Sequence, residues 1–383
     1  MPRSGWLCRV GPYEAHPATE AGMGTRVHLS PRCYALYILL KYRRPVRRRK
    51  ALRTLGLLLA SLIVLGLTIW STAALYIDFP VVKLRVPLIA LYVLAIAVAW
   101  IASRRFSFAL ATAAVGFVVV LVWWLSLKPS QDGDWQPDDQ NTAWATVDGD
   151  KVTIHDLRNC DYRSEQDYTC SWETRSYNLS NLKHLDLAIT WWGSPWIAHP
   201  ILSFDFGDQG HVAMSIETRD LVGQSYSAIR GFFRQYRLIY IAADERDVIR
   251  LRTNYRKGEE VYLFRTTATP EQARGLFRQY LDRINELHRR PEWYNALTNN
   301  CTTNIAVSAA ASRDQSPHWD WRMLLNGKGD EMMYERGQLV TDGLSLPELK
   351  ARAHINDAAR VANDDPNFST IIREGRPGFG GGQ

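Results

Sequence analysis

The sequence lacks the short motifs that mark common metal, nucleotide and serine-hydrolase sites. It contains no His-Glu-x-x-His, no Cys-x-x-Cys and no Gly-x-Ser-x-Gly, and its nine histidines are scattered. Its dense glycine run is the final stretch from Gly378 to Gln383, which is not a loop between a strand and a helix. The sequence therefore predicts no bound metal and no organic cofactor.

Acidic residues are scarce in the first third of the chain. Residues 1–127 hold 16 of the 46 Lys and Arg but 3 of the 39 Asp and Glu, so the remaining residues carry more acidic than basic groups. The formal net charge of +7 thus belongs to the N-terminal third. Because phosphate binding needs a basic face on the folded domain, the sequence predicts no nucleic-acid partner.

Cysteine is scarce as well, with five residues in 383. Cys8 and Cys33 precede the apolar part of the chain, and Cys160 and Cys170 are close enough in sequence to form a disulfide in an oxidising compartment. Cys301 is then the odd thiol. Cys301 is therefore a candidate catalytic residue. The alternative interpretation is that its side chain is simply a small hydrophobic group buried in the core.

Three apolar runs are each long enough to cross a bilayer as a helix. They are Leu55–Ile77, Val86–Ala102 and Phe106–Leu127. Residues 41–50 and the pair Arg104 and Arg105 place positive charge on one side, so the positive-inside rule predicts a cytoplasmic N-terminus and an external segment after Lys128. We therefore expect a basic cytoplasmic segment over residues 1–50, with Met23 as an alternative start, and a three-helix membrane region over 51–127.

The rest of the chain divides by composition. Residues 128–144 read as a polar linker, 145–365 as a soluble domain, and 366–383 as a loosely ordered tail. Alternating apolar stretches predict strands at Lys151–Leu157, Ile201–Phe206, Val212–Glu217, Leu238–Ile241 and Glu260–Phe264. The four residues 207–210 predict a hairpin turn between the second and third of these strands.

Two helices are predicted after the strands. The first has Thr269 as N-cap, Pro270 at its first position and Gln272 closing a capping box. Its apolar face is predicted to consist of Ala273, Leu276, Phe277, Tyr280, Leu281, Ile284 and Leu287. The second begins near Cys301, and the small residues of its continuation, 305–311, predict close packing against a sheet.

Cys301 stands where a thiol can become a nucleophile. The first turn of a helix offers free N–H groups and the positive end of a dipole, both of which lower a thiol pKa. Asn300 and Thr302 flank the cysteine with short polar side chains, and backbone N–H groups there could hold an oxyanion. Asn300 and Thr302 are therefore candidate substrate-binding residues, and a plain N-cap around a buried cysteine is the alternative.

A histidine from another element must serve as the base. His199, just before a predicted buried strand, is favoured over His211, which follows the hairpin turn; a polar residue of a loop over 191–200 is the alternative for His199. Glu217 could orient the imidazole, and a surface ion pair with Arg219 is the alternative. Tyr226 is the first residue of an aromatic and basic stretch that could contact lipid headgroups. The alternative interpretation is that the stretch packs in the core.

Five segments, read in chain order, resemble the Lnb-type N-terminal periplasmic domain family. They are residues 199–204, 215–219, 243–247, 260–264 and 294–304, and the most specific is Asn-Asn-Cys-Thr-Thr around Cys301. The resemblance covers about residues 134–311, which leaves the three apolar runs outside it. Segment 243–247 would by itself be read as a solvated loop or an ion-pair cluster.

The resemblance implies an α+β, circularly permuted papain-like fold related to NlpC/P60 peptidases, preceded here by three transmembrane helices in a bacterial inner membrane. In that permuted order the histidine precedes the cysteine, as His199 precedes Cys301. Family members with an assigned role are lipoprotein N-acyltransferases. A phospholipid acyl donor and a diacylglyceryl-lipoprotein acceptor are therefore expected at a periplasmic Cys/His site. A Cys/His amidase or peptidase and a non-catalytic membrane-anchored binding protein remain the alternatives.

Overall fold

The computed structural model describes residues 31–313, 316 and 320–380, with the backbone alone for residues 31–50. Cys8, Met23 and His318 lie outside the described residues. The described residues form two compact units: one comprises residues 31–75 and 83–121, and the other comprises the described residues of 76–82 and 122–380.

The first unit consists of three long helices. Helix α1 spans Pro31–Asp78, α2 spans Val82–Ser103 and α3 spans Phe106–Ser126. Stretches Ala51–Asp78, Val82–Ser103 and Phe106–Ser126 are long and apolar enough to cross a membrane, with mean hydropathies of 2.1, 2.3 and 2.3. The three predicted runs are confirmed as helices of membrane-spanning length and composition. Most of their large apolar side chains are exposed within the structure, as expected of helices that face lipid.

The second unit is built on an eight-stranded sheet. Its strands are β1 (Trp144–Asp148), β2 (Lys151–Tyr162), β3 (Tyr168–Asn178), β4 (His184–Trp192), β5 (Ser194–Asp205), β6 (His211–Arg219), β7 (Arg237–Ala243) and β8 (Glu259–Arg265). All five predicted strands are confirmed, and three more are present. The order is β1-β2-β7-β6-β5-β4-β8, and β3 pairs with β2 off this path. Neighbours are antiparallel except β2 and β7, which meet in parallel.

Helices cover both faces of the sheet. One face packs against α5 (Pro270–Arg289) and contacts α6 (Cys301–Ala311), while the other is covered by α4 (Glu245–Arg250), α9 (Asn356–Val361) and α10 (Phe368–Ile371). Two further helices, α7 (Gly329–Glu335) and α8 (Leu346–Ala353), lie between α6 and α9 in sequence. The second unit is therefore a mixed α and β domain with a sheet between two helical layers.

Helix α5 has the predicted start and the predicted inner face. Thr269 and Gln272 form the capping box, with each side chain accepting the other residue's backbone N–H, and Pro270 is the first residue. The seven residues of the predicted apolar face are all buried. The hairpin turn over residues 207–210 is also confirmed, since Phe206 N–H donates to the Gly210 carbonyl.

The disulfide is present and joins β2 to β3 through Cys160 and Cys170. Residues 128–144, predicted as a linker, lie against the domain: Gln131 donates to the Leu287 carbonyl at 2.6 Å, and Trp135 is buried. The prediction of a loosely ordered tail is wrong for residues 366–380. Phe368 is fully buried there, and Arg373 forms ion pairs with carboxylates beneath the sheet.

Candidate active site

His199 lies inside β5 and is buried. The sequence placed it in front of the strand, which is wrong, because residues 194–200 also pair with β4; His199 is opposite Thr190. The interpretation of His199 as part of a loop is wrong for the same reason. A sheet neighbour therefore fixes the backbone of His199, and its ring position does not depend on a mobile turn.

Cys301 is the first residue of α6, and its thiol is free and buried. Asn300 caps this helix: its side chain accepts the Thr303 N–H at 2.9 Å, and the Thr303 hydroxyl accepts the Asn300 N–H at 3.0 Å. The Asn300 amide group also donates to the Ala296 carbonyl at 2.8 Å. This predicted substrate-binding residue therefore uses its side chain to fix the turn that carries the thiol.

The environments of Cys301 and His199 are complementary. Burial raises the pKa of the Cys301 thiol, but its hydrogen bond with His199 and the imidazole charge outweigh burial, so the thiol pKa lies below its ordinary value. For His199, burial and the charge of Arg252 lower the pKa, whereas the Glu217 carboxylate and the hydrogen bond with Cys301 raise it, and the net pKa is raised. Both shifts favour a thiolate beside an imidazolium.

Ser215 links the imidazole to Glu217. The His199 Nε2 atom lies 2.7 Å from the Ser215 hydroxyl, which donates to the Glu217 Oε1 atom at 2.6 Å. Because the carboxylate only accepts, the serine oxygen accepts the Nε2 proton, and Nδ1 is the ring nitrogen left for exchange with the thiol. The direct distance from His199 Nε2 to Glu217 is 3.5 Å. Glu217 therefore orients His199 mainly through a serine that sequence reasoning missed.

Arg252 fixes the charge of Glu217. It lies 3.4 Å from Glu217 and 3.2 Å from Glu259. Burial raises the pKa of Glu217, but the charges of Arg252 and His199 outweigh it and hold that pKa well below its usual value. The alternative reading of Glu217, a surface ion pair with Arg219, is wrong, because Arg219 donates to main-chain carbonyls and packs on Trp135 instead. No sequence pattern singled out Arg252, which lies on the π-helical turn after α4.

A side-chain amide also contacts the thiol. The Asn326 Nδ2 atom lies 3.7 Å from the Cys301 Sγ atom, and its Oδ1 atom accepts the Ala198 N–H at 3.0 Å. Asn326 thus connects the thiol to the residue before His199. A Cβ atom on the next residue, Gly327, would lie 2.4 Å from the Pro195 carbonyl oxygen, so only glycine allows this approach to β5. Sequence reasoning missed Asn326, although the dipeptide Asn-Gly is a turn signal.

Two other predicted site residues lie close to the thiol. The Thr302 hydroxyl is 3.8 Å from the Cys301 Sγ atom. Tyr226 is half exposed, and its ring centroid lies 6.2 Å from that of Tyr294. Burial and the charge of Cys301 raise the pKa of Tyr294, so this tyrosine is within electrostatic reach of the thiol. Tyr226 therefore contacts a tyrosine whose pKa is raised by the charge of Cys301.

His211 is separate from this group. It begins β6 at the hairpin, where its Nε2 atom lies 3.7 Å from Asp205. Six residues separate it from Glu217 along the strand, which is about 20 Å at roughly 3.4 Å per residue. The structure therefore does not bring His211, the second candidate base, together with Glu217 and His199.

A family described as the Lnb N-terminal periplasmic domain matches residues 168–327, a range that includes His199, Ser215, Glu217, Cys301 and Asn326. No curated protein and no solved structure matches the chain. Within residues 31–313, 316 and 320–380, no group of three or more His, Cys, Asp or Glu residues is arranged to hold a metal ion.

Proposed function

Residues 168–327 belong to the Lnb N-terminal periplasmic domain family, and from that premise we propose that the chain is a membrane-anchored thiol acyltransferase. It moves an acyl chain from a phospholipid to the N-terminal amine of a diacylglyceryl lipoprotein. The observation that carries the proposal is the buried Cys301 thiol at a helix start, whose pKa the His199 imidazole lowers, together with the hydrogen bonds from that imidazole through Ser215 to Glu217. The order of His199 and Cys301 on this sheet domain also supports a permuted papain-like fold.

In the first half-reaction the Cys301 thiolate attacks the ester carbonyl carbon of the phospholipid. The carbonyl oxygen becomes an oxyanion, which the first-turn amides of α6 and the Asn326 side-chain amide can stabilise. When the tetrahedral intermediate collapses, the carbon–oxygen bond breaks, and the His199 Nδ1–H gives its proton to the departing alkoxide. A thioester on Cys301 and a lysophospholipid result.

In the second half-reaction the free α-amine of the lipoprotein attacks the thioester carbonyl. His199 Nδ1, now neutral, takes the proton that the amine loses. The carbon–sulfur bond then breaks, an amide forms on the acceptor, and the thiolate and imidazolium are restored. The scheme needs neither a metal nor an organic cofactor.

An exposed apolar patch near the site supports a lipid substrate. We define the patch by Val222, Tyr226, Ile229, Phe232 and Leu297, all at least 40 % exposed. Exposed apolar groups in one region are typical of contact with a membrane or a partner.

The chain next to the patch is tied to the ends of two candidate spans. The Arg234 N–H donates to Asp78 at 3.2 Å, and the Trp293 indole donates to the Leu127 carbonyl at 3.0 Å. Asp78 ends the first span, and Leu127 follows the last residue of the third. The unit that carries the patch therefore also holds the ends of two candidate spans. Both proposed lipid substrates are confined to the bilayer.

The test is N-acylation in cells depleted of their own lipoprotein N-acyltransferase. Mass spectrometry of a lipoprotein's N-terminal peptide should show an N-acyl group with the wild-type chain and a free amine with Cys301→Ala. Val307→Ala, on the exposed side of the same helix, should behave as wild type. A free amine despite well-expressed wild-type protein would contradict the proposed acyltransferase activity. Cleavage of peptidoglycan peptides instead of N-acylation would support the amidase alternative. Full activity of Cys301→Ala would show that Cys301 is not the nucleophile.

A further inference from the structure

A cavity of about 330 Å³ lies between α6 and the strands β4 and β5. Its walls include Leu187, Ile189, Leu202, Ala306, Ala309 and Met332. The small residues of α6 were predicted to allow close packing against the sheet, but they line this space instead. Ala306 and Ala309 therefore remain partly exposed, although they point toward the inside of the domain.

The cavity adjoins the nucleophile. Thr302 and Asn326 both line it, and both contact the Cys301 Sγ atom, at 3.8 and 3.7 Å. A group held in the cavity can therefore present its end to the thiol.

The charged side chains of the lining are remote from the thiol or already paired. Arg313 follows Thr302 by eleven residues, about 16 Å along a helix axis. Arg336 donates to Asp320 at 2.9 Å. Near Cys301 the lining thus offers mainly apolar surface, with the Thr302 hydroxyl and the Asn326 amide as polar groups.

We propose that this cavity holds one acyl chain of the lipid donor, with the carbonyl carbon at Cys301 and the hydrocarbon along α6. The inference rests on the proposed function for the identity of the donor. A peptide in the same space would leave backbone N–H and C=O groups without partners, which an apolar site disfavours. If a methylene takes about the 30 Å³ of a water molecule, the cavity has room for on the order of ten chain carbons.

Photo-crosslinking tests the site without turnover. The full-length Cys301→Ala protein is placed in vesicles of phosphatidylethanolamine and phosphatidylglycerol that carry a diazirine on one acyl chain. After irradiation, mass spectrometry should find the lipid on peptides of α6 or around Met332, in addition to the lipid-facing spans. Ala306→Trp in the same background should lower labelling at the cavity about tenfold or more by filling it. Val307→Trp, on the exposed side of α6, should leave it unchanged.

Chain-length selectivity gives a second readout. Ala306→Trp should slow transfer from a hexadecanoyl donor about tenfold or more relative to a butanoyl donor, whereas Val307→Trp should leave that ratio as in wild type. Labelling of the spans and the apolar patch, with the cavity peptides free of lipid, overturns the inference even if N-acylation occurs. Labelled cavity peptides without N-acylation would instead overturn the proposed function and leave the acyl-chain site standing.

Discussion

At the scale of single residues, the site is a chain of alternating charges. Thiolate, imidazolium, the Glu217 carboxylate and the Arg252 guanidinium follow one another, with the Ser215 hydroxyl between the second and third. Each member is buried or nearly so, and a buried charge is stable only when an opposite charge or a donor compensates it. Glu217 therefore acts on the thiol indirectly, because it keeps the imidazole of His199 protonated.

Glu217→Gln should move thiolate formation to higher pH. The lowered pKa of Cys301 and the raised pKa of His199 both favour the thiolate and imidazolium pair in the wild type. Without the carboxylate, the pKa of His199 falls, the imidazolium is lost at lower pH, and the pKa of Cys301 rises because its positive neighbour is gone. The rate of Cys301 alkylation by iodoacetamide, measured against pH, reports this shift. We also expect kcat for acyl transfer to fall by up to about a hundredfold, the lower part of the range for general acid–base catalysis.

Glu271→Gln is the matched control, because Glu271 lies in the first turn of α5 with its side chain 74 % exposed. Its alkylation profile should overlay that of the wild type. An unchanged profile for Glu217→Gln, in protein with a normal melting temperature, would show that the carboxylate does not influence the imidazole.

At the scale of elements, the site depends on the segment that carries Asn326. Trp191 donates its indole N–H to the Gly327 carbonyl at 3.0 Å, and Asn326 accepts the Ala198 N–H. The two bonds attach this segment to β4 and β5. The amide that contacts the thiol is thus positioned by two strands as well as by its own turn.

Gly327→Ala should disrupt this attachment. The new Cβ atom would lie 2.4 Å from both the Pro195 oxygen and the Trp196 carbonyl carbon, and backbone atoms cannot move away cheaply. We expect a loss of about 1–3 kcal/mol of stability, the range for overpacking, seen as a lower melting temperature. We also expect a lower kcat, because Asn326 moves away from Cys301. Gly329→Ala is the control: its Cβ would meet nothing within 4 Å at a helical φ of −65°. Equal melting temperatures and rates for the two variants would contradict this account.

Elements with strong local signals could be predicted from the sequence. Helix α5 carries its capping box and a full apolar face, and β6 alternates around Val212 and Met214. Strand β4 was missed although its sequence alternates, with Leu185, Leu187 and Ile189 packed together on one face of the sheet. Strand β3 was missed because polar residues such as Glu173 and Arg175 fill much of it. The true start of β5 depends on pairing with β4, which no local pattern reveals.

The residues of the candidate site also divide into those that the sequence reveals and those that only the fold reveals. Cys301 and His199 stand out by residue type and position, whereas Ser215, Arg252 and Asn326 acquire their contacts through the tertiary fold. The charged segment around α4 was read as a solvated loop or an ion-pair cluster, and it proves to be buried ion pairs, with Glu245 and Asp247 fully enclosed. Long-range partners such as Arg373 and Arg158 decide that burial, and the sequence does not reveal such pairings.

At the scale of the whole molecule, three helices of membrane-spanning length precede residues 168–327, which match a periplasmic domain family. The disulfide between Cys160 and Cys170 fits that compartment, because such bonds persist where the surroundings are oxidising. If the three candidate spans of the described residues all cross a membrane, the segment before the first and the segment after the third lie on opposite sides of it. The lysines and arginines of residues 41–50 predict the orientation, because positive charge favours the cytoplasmic side.

We therefore expect a cytoplasmic N-terminus and an external sheet domain. Alkaline phosphatase fused after Gln383 should be active, since it folds only when exported, and the same enzyme fused before Met1 should be inactive. Replacing the basic residues of 41–50 by Gln or Ser should lower the first signal and raise the second, because the charge bias that holds the N-terminus inside is weakened. The same replacements in residues 352–360, outside the spans, should change neither signal. Strong phosphatase activity from the N-terminal fusion of the unaltered chain would reverse the assigned orientation, and it would also place Cys160 and Cys170 in a reducing compartment that their disulfide does not fit.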